Sequence, residues 1–135
     1  MPILTSRFTE IRPAINGSVY HQGILLEATV RMLIDTGAGK TAISHKLFLD
    51  NNITPLRLGT TRTPYKKRAK TAIYQNVRIV LRDDAGITFE LIFSEIESII
   101  GSTYDFPVIL GMDVLDLGKF TLWGRDNKRF TLVLP

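Results

Sequence analysis

Two segments constrain this chain more than any others: Leu33-Ile34-Asp35-Thr36-Gly37-Ala38 and, far downstream, Val108-Ile109-Leu110-Gly111-Met112-Asp113. The first is a hydrophobic strand that ends on a carboxylate and turns at once through Gly37. The second is an apolar run that ends on a glycine. Glycine beside a strand-tip carboxylate lets another backbone approach it closely. The chain has 135 residues and no second copy of Asp-Thr-Gly. Gly37-Ala38-Gly39-Lys40-Thr41 imitates the end of a phosphate-binding loop, but that loop requires glycine at position 34, where Ile34 stands. No strand–helix alternation follows it, so nucleotide binding is set aside.

At this length one domain, 1–135, with a sizeable buried core is expected. No apolar run approaches the roughly 18 residues of a membrane span, so no membrane partner is expected. The N-terminal residues show no basic stretch followed by an apolar one, so no signal peptide is expected and the cytoplasm is the expected location. Cysteine is absent, which excludes disulfides and cysteine–zinc sites. The two histidines, His21 and His45, are too few to suggest a catalytic metal centre; neither metal nor cofactor is expected. His45 reads as a helix-surface residue, His21 as a loop residue, and Trp123 as core or interface. A net charge of +4 does not by itself imply nucleic acid, but Arg62, Lys66, Lys67, Arg68 and Lys70 cluster within nine residues.

Hydrophobic periodicity indicates short strands. Gly23–Val30 and Arg31–Ile34 form either a strand pair or one long bent strand. Val77–Leu81 and Ile87–Phe93 flank the turn chemistry of Asp83-Asp84-Ala85-Gly86 and predict a hairpin. Phe120–Trp123 and Phe130–Leu134 predict another. Ser44 can cap a short helix through Leu47–Leu49, ended by Asn51-Asn52. A second short helix can follow Gly111, with Gly118 as its stop. The fold class is all-β: a closed, barrel-like domain with one or two short helices.

Apolar-apolar-Asp-Thr-Gly-Ala, followed at a distance by apolar-Leu-Gly-x-Asp-x-Leu, resembles the retropepsin-like aspartic proteases, the family of the retroviral proteases and their single-domain relatives. The resemblance covers roughly residues 15 to 118. It implies an aspartic endopeptidase that hydrolyses peptide bonds in a peptide or protein substrate with an activated water. Two carboxylates about 3 Å apart must share a proton. With one Asp-Thr-Gly per chain, the resemblance implies a homodimer in which Asp35 meets its twin across a two-fold axis. Thr36 is then the hydroxyl that braces the two loops, and Gly37 gives clearance for substrate. Ala38, Gly39, Tyr65 and Gly111 are the implied substrate-binding positions. Ala38 cannot hydrogen-bond the carboxylate as the Ser or Thr of many pepsin-like enzymes can, which implies a less acidic working range.

The chain departs from the family in two places. Retroviral members commonly place Arg after the downstream glycine, paired with an acid just past Asp-Thr-Gly-Ala; here Met112 and Gly39 stand there. The flap that closes over substrate falls between Leu58 and Tyr74, where the sequence is basic and lacks a Gly-Gly tip. Its cations read as a solvated loop, as a bias of the cleft toward acidic substrates, or as a tether to nucleic acid, the last being the least favoured. Two rival functions stay open: a non-catalytic binding or dimerisation domain on the same fold, and a basic nucleic-acid-binding β-barrel. The barrel lacks the interleaved aromatics that base stacking uses.

Overall fold

The computed structural model describes residues 2–62, 68–101, 106–124 and 127–135. Its elements in order are β1 (Ile3–Arg7), β2 (Ala14–His21), β3 (Ile24–Ile34), β4 (Ala42–Ile43), α1 (His45–Asp50), β5 (Arg57–Arg62), β6 (Arg68–Arg82), β7 (Thr88–Ile99), β8 (Val108–Leu110), α2 (Met112–Leu115), β9 (Lys119–Trp123) and β10 (Arg129–Val133). The chain is thus mostly strand, as its periodicity predicts. No helix among the described residues is long and apolar enough to cross a membrane.

Seven strands form one sheet in the order β2-β3-β8-β4-β7-β6-β5, and an additional β2–β6 pairing closes six of them into a barrel. The length of β6 makes closure possible. One edge of it pairs with β7 from Thr71 to Arg82. The other pairs first with β5 over Arg68–Ile73 and then with β2 over Val77–Arg82. Asn76 lies between the two partners with φ of 56°, a left-handed conformation that asparagine tolerates better than most residues. Strand β5 therefore stands outside the ring, as one arm of a two-stranded hairpin.

The segment 24–34 is one continuous strand. Its outer half leaves Ile24 and Leu25 exposed, whereas Met32, Leu33 and Ile34 are all buried. Both faces are covered there, which accounts for the unbroken apolar run. The β6–β7 hairpin turns where Asp-Asp-Ala-Gly predicts. Asp83 Oδ1 accepts from the amides of Ala85 and Ile87 at 3.0 and 2.8 Å, and Gly86 takes φ of +85°.

A second sheet, β1-β10-β9, joins the two ends of the chain. Leu4, Phe130 and Leu132 of this sheet are fully buried. Along the outer edge of β1, the Asp83 and Asp84 carboxylates accept from the amides of Thr5 and Arg7 at 3.0 and 2.7 Å. Strand β9 forms the opposite edge.

Two local expectations are corrected. The end of α2 does not depend on Gly118: the helix stops at Leu115, with Asp116 in right-handed geometry. Gly118 is needed for proximity instead, because a β-carbon there would lie 1.7 Å from the Val133 carbonyl oxygen. Neither histidine is a simple surface or loop residue. The Phe48 and Tyr74 rings stack at 3.7 Å. His21 meets both edge-on, at 6.1 and 6.4 Å, and His45 Nδ1 lies 3.0 Å from the Tyr74 hydroxyl. Burial pushes the Tyr74 hydroxyl pKa up and the His21 imidazole down. Ser44 is the N-cap of α1, but its hydroxyl makes no capping bond.

Candidate active site

Strand β8 lies between β3 and β4. It runs parallel to β3, with Leu33 beside Ile109 and Ile34 beside Leu110, and antiparallel to β4. The loop joining β3 to β4, residues 35–41, must therefore pass over the C-terminal end of β8. This crossing positions Asp35. Its amide donates to the Leu110 carbonyl at 2.9 Å, and its own carbonyl accepts from Ala38 N at 3.2 Å. Gly37 N donates to the carboxylate at Oδ1, 2.9 Å away. The other oxygen, Oδ2, lies 3.9 Å from Arg12 Nη1. The Asp35 side chain is 29% exposed, so the carboxylate is held by backbone and still accessible.

A second layer of bonds braces the loop from below. Met112 N donates to Ala38 O at 2.7 Å and Asp113 N to Gly39 O at 3.2 Å. The Asp113 carboxylate accepts from Thr41 N at 3.0 and 3.1 Å, from Thr41 Oγ1 at 2.7 Å and from Val114 N at 2.9 Å. Thr41 Oγ1 in turn accepts from Gly111 N at 3.1 Å. At the positions of the Arg–acid pair of retroviral sequences, Met112 and Gly39 contribute backbone bonds. Asp113 and Thr41 supply the charge-assisted tie between loop and helix.

The loop opens onto a cleft of about 590 Å³. Asp35, Gly37, Ala38, Gly39 and Lys40 line its floor; Thr61 and Arg62 of the hairpin, with Glu97 and Ile99 of β7, complete its walls. The hairpin that reaches over the cleft occupies the interval where a flap is expected. A smaller cavity, lined by His21, Ile53, Leu56 and Tyr74 among others, shares no residue with it.

No family model and no curated protein matches the sequence. Among solved structures, a retropepsin-like aspartic protease from Rickettsia conorii superimposes with a TM-score of 0.58 at 20% identity, over 97% of this chain and 90% of that one. The chain has the retropepsin-like fold. Simian foamy virus (mac) protease, solved in solution, aligns with a TM-score of 0.42 at 15% identity, over 75% of this chain and 89% of that one.

Within the retropepsin-like fold the sequence-derived site residues fall in different places. Asp35, Gly37, Ala38 and Gly39 come together at the cleft floor, and Thr36 stands exposed at the loop's tip. Gly111 does not contact the cleft and is corrected to a structural role. It is buried beneath the loop, where a β-carbon would lie 2.6 Å from the Lys40 carbonyl carbon and 2.8 Å from Ala38 O. Tyr65 lies outside the described residues. Sequence reasoning missed the role of Thr41, hidden inside the imitation phosphate loop, although Asp113 was visible as part of Gly-x-Asp. It also missed Arg12 and the cleft residues Thr61, Glu97 and Ile99, which only β pairing brings beside Asp35.

Proposed function

We propose that the protein is an aspartic endopeptidase, active as a homodimer in which Asp35 of each chain contributes one carboxylate to a shared site. The observation that carries this reading is the braced loop: one accessible carboxylate held by backbone bonds at the floor of a cleft, in a retropepsin-like fold. Such chemistry needs a pair of carboxylates, and each chain supplies one. In the dimer the ionised member of the pair takes a proton from a water, which attacks the peptide carbonyl carbon. The protonated member donates to the carbonyl oxygen. Collapse of the tetrahedral intermediate returns a proton to the leaving amine. The shared proton belongs to the pair and not to either residue. Gly37, Ala38 and Gly39 present backbone to an extended substrate, and the hairpin covers it from above. Thr36 is assigned the brace across the two-fold axis.

The test is Asp35→Asn, assayed with a peptide library and by analytical ultracentrifugation. We expect cleavage to disappear while fold and dimer persist. Full cleavage by the purified variant overturns the assignment, and a wild-type protein that cleaves as a monomer overturns the shared site.

A further inference from the structure

We propose that the outer face of the β5–β6 hairpin is a docking surface for the phosphate backbone of a nucleic acid, independent of its base sequence. The register places Arg62 directly opposite Arg68 and Thr60 opposite Lys70. Side chains alternate between the faces of a strand, and cross-strand partners share a face. Arg62, Thr60 and Leu58 therefore lie on one face with Arg68 and Lys70, while Thr61 and Gly59 lie on the other with Ala69 and Thr71. The burial pattern alternates in step: Thr60, Arg62, Arg68 and Lys70 are exposed, Thr61 and Ala69 are half-buried, and Thr71 is buried. Thr61 lines the cleft, so these cations stand on the hairpin's far side, although Arg62 also reaches the edge of the cleft.

Like charges directly opposite one another, with β-carbons about 5 Å apart, destabilise a strand pair. The arrangement thus costs the hairpin stability and adds nothing to the barrel. No carboxylate on the neighbouring strand offsets it. The β7 residues that continue this face are Ser98, beside Ala72, and then Ile100, whose amide donates to Lys70 O at 2.9 Å. Glu97 belongs to the cleft side. Glu95 is held in a forked pair by Arg57, at 2.7 and 2.6 Å. Among the described residues, none of Arg62, Arg68 and Lys70 forms a salt bridge. Two guanidinium groups suit phosphate oxygens, which they can bind in a forked geometry. No aromatic residue among those described shares the face, so what these residues offer is charge for phosphates and not a platform for bases. The sequence alone favours this partner least, because it does not show that the cations share one acid-free face.

The experiment is fluorescence anisotropy of the full-length protein with a labelled single-stranded oligonucleotide of mixed sequence, across a salt series. A polyglutamate peptide of equal charge serves as competitor. The triple variant R62Q/R68Q/K70Q is expected to weaken binding about tenfold or more at low salt. It should flatten the slope of log K against log salt by about 2, from three phosphates at roughly 0.7 each. The control R7Q/R82Q/K119Q, which loses the same charge elsewhere, is expected to bind within about twofold of wild type, the remainder being long-range attraction. If the triple variant fails to fold, the single variants, each expected to lower the slope by about 0.7, decide the matter. R68K, which keeps the charge but not the forked geometry, should leave the salt slope unchanged and weaken binding less than R68Q does. Absence of oligonucleotide binding, equal losses in the two triple variants, or tighter binding of polyglutamate, which would mark an acidic protein as the partner, each overturns the proposal.

Discussion

Much of the site's order depends on single side chains with several partners. The Asp113 carboxylate serves two donors of Thr41 and the amide of Val114, and Thr41 is buried. Asp113→Ala leaves those donors without an acceptor. Each unpaired buried donor costs about 1–3 kcal/mol, so urea unfolding should show a loss of about 2–4 kcal/mol. Asp113→Asn keeps one acceptor oxygen and should lose about half as much. Glu10 acts on the other flank of the loop. Arg31 holds it in a forked pair at 2.6 and 3.0 Å, tying the 8–13 segment, which carries Arg12, to β3. The Arg31 hydrogen bonds, against a smaller opposing effect of burial, lower the Glu10 pKa from 4.5 to about 2. A depressed carboxylate pKa adds stability that is present above the unfolded value and lost as pH falls through the folded one. The melting temperatures of wild type and Glu10→Gln should therefore differ by a constant amount above about pH 4.5 and converge toward pH 2. A gap that persists at pH 2 would show that the pair is not the cause. The pair is partly solvated, so the gap should be modest.

The elements divide into those legible in the sequence and those that only pairing creates. The β6–β7 and β9–β10 hairpins were legible because alternation and turn residues agree, and the 24–34 run because it ends on Asp-Thr-Gly. Strand β2 was not, since Asn16-Gly17-Ser18 sits in its middle, and β1 is too short to declare a period. The basic stretch after Leu58 is where the resemblance places a flap, but the division of its cations and its cleft residues between two faces depends on register. Gly118 shows the same limit: a glycine after a helix reads as a stop signal, whereas this one admits the backbone of β10. Gly118→Ala tests that reading. A Cβ at 1.7 Å from Val133 O cannot be accommodated without moving β10, so the variant should lose about 3 kcal/mol or more in urea unfolding. A merely helix-terminating glycine at ordinary negative φ would tolerate alanine with little change.

At the scale of the whole molecule, a retropepsin-like barrel was legible from two motifs and their order, and the location of Asp35 at a cleft floor follows from the strand crossing beneath it. How copies of the chain would meet in the proposed homodimer depends on which sheet edges are open. The terminal sheet bears on that question. Its β1 edge is already occupied by the Asp83 and Asp84 side chains, which shields it as natural edge strands are shielded, while among the described residues no strand pairs with the outer edge of β9. In the language of assembly, the sheet is monovalent. A building block with two open edges polymerises; one with a single open edge can be joined only once. Addition of a second copy through β9 about a two-fold axis would consume both available edges and end growth. The Asp83 and Asp84 side chains would thus limit assembly through this sheet to two copies, the stoichiometry that the proposed pair of Asp35 side chains requires.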